Sequence, residues 1–191
     1  MKKILCFILA ICLIVPCAAL FSSCQEEDVV LSSGAPAVKG KTYEVTGEVR
    51  ILWDDGLSET LKNSFLQIEN NGVEISEKDY IAKIEAIAKG MANKGVTFNF
   101  TKNYDDVNHA YTLVVKNGDE VAHTGTYAQN DDKYSVVGYD VGALLYSGDS
   151  QNIMYIGNGE YGLAYKGYRP GDAPAPNMAN TNVVIVLKLK Q

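Results

Sequence analysis

Two histidines, 12 tyrosines and a single tryptophan are the side chains of this sequence best suited to binding a ligand. A tyrosine ring offers apolar area together with a hydroxyl group, which suits a wet pocket or a surface that stacks on a sugar. Tyrosine is also favoured in strands, so its abundance fits a packed sheet equally well. We expect five residues to line any cavity and treat them as ligand-binding candidates: Tyr43, Trp53, Tyr111, His123 and Tyr127.

The two histidines flank one predicted hairpin, so its turn decides whether they meet. A two-residue loop at Asn117-Gly118 puts His109 and His123 on opposite faces. A three-residue loop from Lys116 to Gly118 gives glycine the left-handed position and separates apolar from polar residues. We expect the second register, in which the imidazoles are diagonal neighbours on the buried face. Two imidazoles lack the third ligand of a metal site, so we predict neither a metal nor a cofactor.

Three acidic pairs are the other candidates for chemistry: Asp54-Asp55, Asp105-Asp106 and Asp131-Asp132. Each pair falls in a predicted turn, where aspartate bonds the local backbone. Adjacent residues of a strand point to opposite faces, so no pair can hold a substrate jointly. The sequence also lacks a Gly-x-Ser-x-Gly elbow, a Gly-x-x-x-x-Gly-Lys loop and the spacing of a calcium loop. We therefore predict no catalytic residue and expect that the protein is not an enzyme.

The elements that must position these side chains are mostly strands. Apolar residues alternate with polar ones between Thr42 and Trp53, which predicts a half-buried antiparallel strand. The same alternation recurs after residue 95 between turns rich in glycine and asparagine, giving about eight or nine strands in all. Short hairpin links favour an up-and-down barrel or a sandwich. The proline-rich loop from Arg169 to Asn180 cannot join a ladder and separates the last two strands.

One amphipathic helix is expected after Ser76. Ser76 with Asp79 three residues on resembles a capping box, apolar residues then recur at helical spacing, and Asn93-Lys94-Gly95 ends the segment. The polar side of this helix is not especially basic, so its apolar stripe should pack on the sheet and not on a membrane. The segment from Leu57 to Glu69 remains open between strand and helix.

The first 23 residues have the order of a bacterial signal peptide. Two lysines precede an apolar run from Ile4 to Leu20, which is shorter than a membrane span and contains Pro16. The stretch from Leu20 to Cys24 resembles a lipobox, with Phe21 in place of the usual Leu. The resemblance implies cleavage before Cys24 and lipid attachment to its sulfur. The alternative is ordinary cleavage after Ala19, which leaves Cys24 as a free thiol.

The cysteine count and the charge limit what the mature chain can do. All four cysteines lie within the first 24 residues, so the predicted cleavage leaves Cys24 alone and excludes disulfides and cysteine zinc sites. Cleavage also leaves 168 residues, enough for one domain, and changes the formal net charge from −6 to −8. A negative surface repels phosphate backbones, so we do not expect nucleic acid as a partner.

Directly behind Cys24 lies a polar, mostly acidic cluster, Gln25, Glu26, Glu27 and Asp28. It resembles the export signal of surface lipoproteins in Bacteroides-type bacteria, which implies a protein of the outer membrane exposed on the cell surface. The alternative is an ordinary acidic linker on a protein that faces the periplasm. Residues 24 to 41 are expected to form a flexible tether, and residues 42 to 191 the folded domain.

Three segments carry a resemblance to the lipocalin-like or calycin-like domains of such surface lipoproteins. They are Val96 to Thr101, Gly125 to Tyr127, and the lysine-bearing final strand Val183 to Lys190. The Gly-x-Trp of the first lipocalin strand is absent, because Trp53 lies at the far end of its strand. The resemblance spans most of residues 41 to 191. It implies a mainly all-β fold, an up-and-down lipocalin-like β-barrel of about eight strands with one packed helix.

The predicted function is that of a membrane-anchored, non-enzymatic surface lipoprotein. It binds a small hydrophobic or saccharide ligand in a β-barrel or at its mouth. The alternative is a filled barrel that acts through its loops on a partner protein of the outer membrane, as a structural accessory or an enzyme inhibitor. The large inward residues Phe98, Phe100 and Trp53 favour a filled barrel, whereas Gly47, Gly125 and Gly138 favour an open one.

Overall fold

The computed structural model describes residues 35–107, 109–130, 133–137, 150–167, 178 and 181–191. The predicted signal peptide, the lipid site at Cys24 and the acidic cluster behind it therefore lie outside the described residues. So do Asp131-Asp132, Gly138 and most of the proline-rich loop. The predictions made for these segments stay predictions.

The described chain is mainly β, as the sequence predicts, with eight strands and two helices. Strands β1 to β8 span Thr42–Leu52, Val96–Asp105, Ala110–Asn117, Glu120–Asn130, Lys133–Val137, Ser150–Gly157, Glu160–Gly167 and Asn182–Leu189. Helices α1 and α2 span Glu59–Glu69 and Glu77–Asn93. The expectation of one packed helix is wrong, because the segment left open between strand and helix forms α1.

All eight strands belong to one antiparallel sheet whose order follows the sequence. Each strand pairs with the next, and β1 also pairs with β8 from Tyr43 to Leu52, so the pairing returns to its first strand. We call this sheet the strand ring. Because neighbouring strands run in opposite directions, the ring has two distinct ends. The hairpin end carries the β2–β3, β4–β5 and β6–β7 connections, and the helix end carries both helices and the β3–β4 turn.

Both helices begin at a serine that caps them. The Ser58 hydroxyl accepts a hydrogen bond from the Leu61 amide, and the Ser76 hydroxyl accepts one from the Asp79 amide. These bonds satisfy amide groups that have no partner inside the first helical turn. Gly95, with a φ of 65°, follows α2 and lets the chain reverse into β2. The helix predicted after Ser76 is therefore confirmed.

Helix α2 packs on the part of β1 that is not paired with β2. The β1–β2 pairing covers only Thr42 to Glu44. Beyond it, β1 carries a bulge at Gly47, whose φ is 82°. A Cβ atom at Gly47 would lie 3.1 Å from Cγ and 3.4 Å from Cα of Lys89. The helix backbone thus approaches the strand as closely as glycine allows.

One hydrophobic core joins the inner face of the strand ring to the buried faces of both helices. Its largest fully buried rings are Tyr43, Phe65, Phe98, Phe100 and Tyr161. The predicted tether contributes too, since Ala35 and Val38 have no exposed surface. Part of the segment expected to be flexible is therefore packed. A second apolar cluster around Met154, Ala164 and Val184 forms separately from the core.

Candidate functional site

Seven aromatic rings form a continuous row through the strand ring to its hairpin end. In order they are Tyr155, Tyr161, Tyr43, Phe100, Tyr127, Tyr111 and Tyr104. Successive ring centroids lie 5.0 to 5.8 Å apart, within the range of favourable aromatic pairs. The middle of this aromatic row is buried, whereas Tyr104 is 50% exposed. The row therefore has an open end at Tyr104.

Strand pairing places the tyrosines at the open end of the row next to one another. Tyr111 lies opposite Tyr127 in the β3–β4 ladder and opposite Tyr104 in the β2–β3 ladder. Its ring stacks on that of Tyr127 at an interplanar angle of 27° and meets Tyr104 at 67°. Cross-strand aromatic pairs of this kind stabilise a sheet. A register shift between Phe100 and Tyr104 sets Tyr104 beside Tyr111.

A lysine lies at the same open end. The Lys39 ammonium donates a hydrogen bond of 3.2 Å to the Tyr111 hydroxyl and lies 4.5 Å from the centroid of that ring. A cation at this distance is attracted by the ring face. The segment that carries Lys39 is fixed by two backbone hydrogen bonds, from the Gly40 amide to the Phe100 carbonyl and from the Phe100 amide to the Lys41 carbonyl.

Two buried hydroxyls of the row have backbone partners. Tyr127 donates a hydrogen bond of 2.7 Å to the Thr101 carbonyl. Tyr161 donates to the carbonyl of Pro36. These bonds hold the rings in place and tie the start of the described chain to β7. The exposed ring of Tyr104, the Tyr111 hydroxyl and the Lys39 ammonium together form what we call the open-end site.

Three of the five ligand-binding candidates belong to the aromatic row: Tyr43, Tyr111 and Tyr127. Trp53 lies at the helix end, where its ring meets Phe65 at 5.3 Å. His123 is partly buried and lies opposite Val115 in the β3–β4 ladder. The structure thus brings together the three tyrosines and leaves the other two candidates apart from them. Ligand contact at all five positions stays a prediction.

The two histidines do not meet, and the expected hairpin register is wrong. The β3–β4 loop consists of two residues between Asn117 and Glu120, and a bulge shifts the pairing so that Val115 faces His123 and Lys116 faces Val121. His109 lies just before β3, exposed, with a φ of 49°. It precedes Val115 by six residues, which is roughly 20 Å along a strand. Among the described residues, no three His, Cys, Asp or Glu side chains cluster closely enough to hold a metal ion.

Sequence reasoning missed a charged network on the outer side of β1, β7 and β8. Glu160, whose side chain is only 11% exposed, accepts from Arg50 at 2.7 Å and from Lys188 at 3.0 Å. Arg50 also donates to Glu48 at 2.7 Å. Hydrogen bonds from Lys188 and then Arg50 hold the pKa of Glu160 below its ordinary value. No local pattern signals this network, because strand pairing alone brings its members together.

A second titratable group lies buried at the helix end. Tyr80 of α2 is 3% exposed, and burial is the main cause that raises its pKa above the ordinary value. The Glu69 carboxylate, which accepts a hydrogen bond from its hydroxyl, raises the pKa further, as does Tyr165. Tyr80 therefore stays neutral over the physiological range and acts as a packing residue with a satisfied hydroxyl.

Comparisons with known proteins identify no relative. No family model, no curated protein and no solved structure matches this chain. Neither of the two described helices combines the length and apolarity needed to cross a bilayer. The function therefore has to be argued from the open-end site itself.

Proposed function

We propose that the chain is a lipid-anchored, non-enzymatic binding protein that binds a saccharide at the open-end site. The observation that carries this proposal is the aromatic row, which is buried in its middle and half exposed at Tyr104. Inner positions that would line a cavity are occupied by fully buried rings such as Tyr43, Phe98 and Phe100. Binding at the mouth is therefore favoured over binding inside the strand ring.

The chemistry of the open-end site suits a sugar better than a purely hydrophobic ligand. The apolar face of a sugar ring stacks on an exposed aromatic ring, here Tyr104, while sugar hydroxyls bond to polar groups. The Lys39 ammonium and the Tyr111 hydroxyl lie beside that ring and can donate to such hydroxyls. A wholly apolar ligand would desolvate the ammonium without compensation, which is costly.

The remaining parts of the proposal concern fold type and location. A lipocalin-like up-and-down barrel is supported by the sequential strand order and by the pairing of β1 with β8. Lipidation of Cys24 and surface export through the acidic cluster rest on the sequence order.

Replacing Cys24 by Ala should abolish incorporation of labelled palmitate, and persistent labelling would contradict the anchor. Replacing residues 25 to 28 with alanine should change the protein on intact cells from protease-accessible to protease-protected.

The saccharide proposal is tested with purified protein on a panel of immobilised glycans. We expect Tyr104→Ala to weaken the strongest binding by roughly 1 to 3 kcal/mol, a range taken from base stacking on aromatic side chains. Val121→Ala is the matched control. Val121 is also exposed, at 60%, but it lies near the start of β4, at the helix end and away from the open-end site. Equal binding by wild type and Tyr104→Ala would contradict the proposal.

A second candidate function is favoured by the filled core. A ring packed with its own side chains can serve as an accessory that acts through its loops on a partner protein, or as an inhibitor of an enzyme. Val107 in the β2–β3 connection is 87% exposed and lies close to Tyr104 in the sequence, so this hairpin would be the contact. Crosslinking in intact cells should then capture one outer-membrane protein with wild type and lose it with Val107→Asp.

A further inference from the structure

Two lysines of the described chain lie over an aromatic ring, and only one of them has a carboxylate partner. At the helix end, the Lys62 ammonium lies 5.8 Å from the Trp53 centroid and pairs with Glu59 at 2.8 Å. At the hairpin end, the Lys39 ammonium lies 4.5 Å from the Tyr111 centroid and donates to the hydroxyl of the same ring. Within the residues that the structure describes, Lys39 forms no ion pair. Its positive charge is therefore available to a ligand.

A tight turn holds Lys39 in place. The Lys41 amide donates a hydrogen bond of 2.9 Å to the Val38 carbonyl, so Lys39 and Gly40 are the two central residues of a β-turn. Gly40 has a φ of 78°, as the third position of a type II turn requires. Val38 has no exposed surface, whereas Lys39 is exposed. The turn thus presents a charged side chain to solvent from a backbone that is anchored in the core.

We propose that the saccharide bound at the open-end site is acidic and that its carboxylate binds Lys39 and Tyr111. This inference rests on the proposed function and names the class of sugar. An ammonium has three protons, of which the Tyr111 hydroxyl accepts one, so Lys39 can donate two more. The Tyr111 hydroxyl keeps its own proton to donate. Two donors whose heavy atoms lie 3.2 Å apart match the two oxygens of a carboxylate, such as that of a uronic acid.

A carboxylate gains more from these donors than a sugar hydroxyl does. Hydrogen bonds with a charged partner are shorter and roughly twice as strong as neutral ones. The ammonium is already held by Tyr111, so less side-chain freedom is lost when the ligand binds. The ring of Tyr104, whose centroid lies 5.1 Å from that of Tyr111, remains half exposed and can stack on the sugar.

A second lysine lies beside the turn. A Cβ atom at Gly40 would lie 2.6 Å from Cε and 3.4 Å from Cγ of Lys102, so the Lys102 side chain runs along the backbone of Gly40. Lys102 has interactions of its own, so we assign direct contact with the ligand to Lys39. The charge of Lys102 nevertheless adds to the local attraction for an anion.

The overall negative charge of the chain does not exclude an acidic ligand. The formal net charge is −6, but exposed charges separated by more than about 8 Å are largely screened at physiological ionic strength. Asp105 follows Tyr104 on β2 and, as an adjacent strand residue, points to the opposite face. Its carboxylate accepts a hydrogen bond from the Val107 amide. A lysine in contact with the ligand therefore outweighs acidic groups that lie farther away.

A panel of immobilised glycans with and without carboxylates tests the proposal on the purified chain. Oligogalacturonate, oligomannuronate and oligoguluronate are presented beside the same chains after reduction of each carboxylate to an alcohol, together with neutral glycans. We expect at least one native acidic chain to bind, and its reduced form to bind about fivefold more weakly, which is the size of an exposed ion pair. Raising sodium chloride from about 0.05 M to about 0.5 M should diminish this difference.

Charge variants show which lysine is responsible. Lys39→Gln removes the charge but keeps a side chain that can donate, so it should bind native and reduced chains equally. Lys39→Arg should keep the preference for the native form. Lys62→Gln is the matched control, because it makes the same charge change in the lysine that lies over Trp53 at the helix end. It should keep the preference as well.

The outcomes separate this inference from the proposed function. If reduced or neutral glycans bind as tightly as the native acidic ones and Tyr104→Ala weakens them, the saccharide site stands and the acidic specificity is wrong. A preference that survives in Lys39→Gln would also overturn the inference, because another cation would then be responsible. If no glycan on the panel binds, both proposals fail.

Discussion

The two ends of the strand ring each place a lysine over an aromatic ring, yet the two pairs differ in what they serve. At the helix end, the Lys62 ammonium lies 5.8 Å from the Trp53 centroid and also pairs with Glu59 at 2.8 Å. At the hairpin end, the Lys39 ammonium lies 4.5 Å from the Tyr111 centroid and bonds to its hydroxyl. The first pair joins a helix to the end of a strand, whereas the second lies at the exposed end of the aromatic row. The same chemistry thus supports packing at one end and, in the function we propose, forms part of a binding surface at the other.

Breaking the helix end should have the largest effect on stability. Gly47→Ala forces an alanine into a φ of 82° and toward the backbone of Lys89, so we expect a loss of about 3 kcal/mol or more. Gly56→Ala is the matched control, since Gly56 has a φ of 78° but no atom within 4 Å of an added Cβ. It should cost about 1 kcal/mol. Urea unfolding measures both, and equal losses would show that the α2 contact contributes nothing.

The next largest effect is expected at alkaline pH, where the free energy of unfolding should distinguish the two ends. Burial raises the pKa of Tyr80 above its ordinary value of 10.0, so its stabilising effect is fully present below pH 10 and is lost as the pH rises further. Tyr80→Phe should therefore flatten the decline in unfolding free energy above pH 10. Tyr104→Phe at the hairpin end should keep the wild-type decline. A wild-type slope in Tyr80→Phe would contradict the assignment of this titration to the helix end.

A smaller effect should distinguish the buried part of the aromatic row from its open end. Tyr127→Phe keeps the ring but removes the hydrogen bond to the Thr101 carbonyl, so the free energy of unfolding should fall by about 1 kcal/mol. Glycan binding should stay close to wild type, because Tyr127 is buried. Thermal melts and binding titrations on one preparation give both values. A binding loss as large as that of Tyr104→Ala would mean that the row acts as one unit.

The sequence predicts the strands and the α2 helix because their signals are local. Alternating residues place Tyr43 and Val45 on the inner side with Glu44 outward, and the Ser76 cap marks the start of α2. The nature of Leu57 to Glu69 stays open in sequence, since its apolar residues fit either period. It is a helix because Phe65 and Leu66 are buried against the core beside α2.

Bulges explain most of what the sequence leaves undecided at the candidate site. One extra residue in β4 separates the pairs of Val115 and Lys116, and it turns Val121 outward to 60% exposure. The turn at Gly118 and Asp119, together with this bulge, places His123 opposite Val115 and so removes it from His109. A register shift before Tyr104 brings that ring to Tyr111, which no alternation rule predicts. The sequence places Lys39 in the predicted flexible tether, so its contact with Tyr111 has no sequence signal.

Fluorescence titration of a relocated tryptophan tests the central claim most directly. Trp53 is the only tryptophan of the chain and lies at the helix end, so its emission should stay constant when a glycan binds. In Trp53→Phe with Tyr104→Trp, the reporter lies in the open-end site, and the same glycan should shift its emission saturably. Binding should also raise the melting temperature as ligand exceeds the dissociation constant. A saturable shift at Trp53 with none at position 104 would contradict saccharide binding at the open end of the aromatic row.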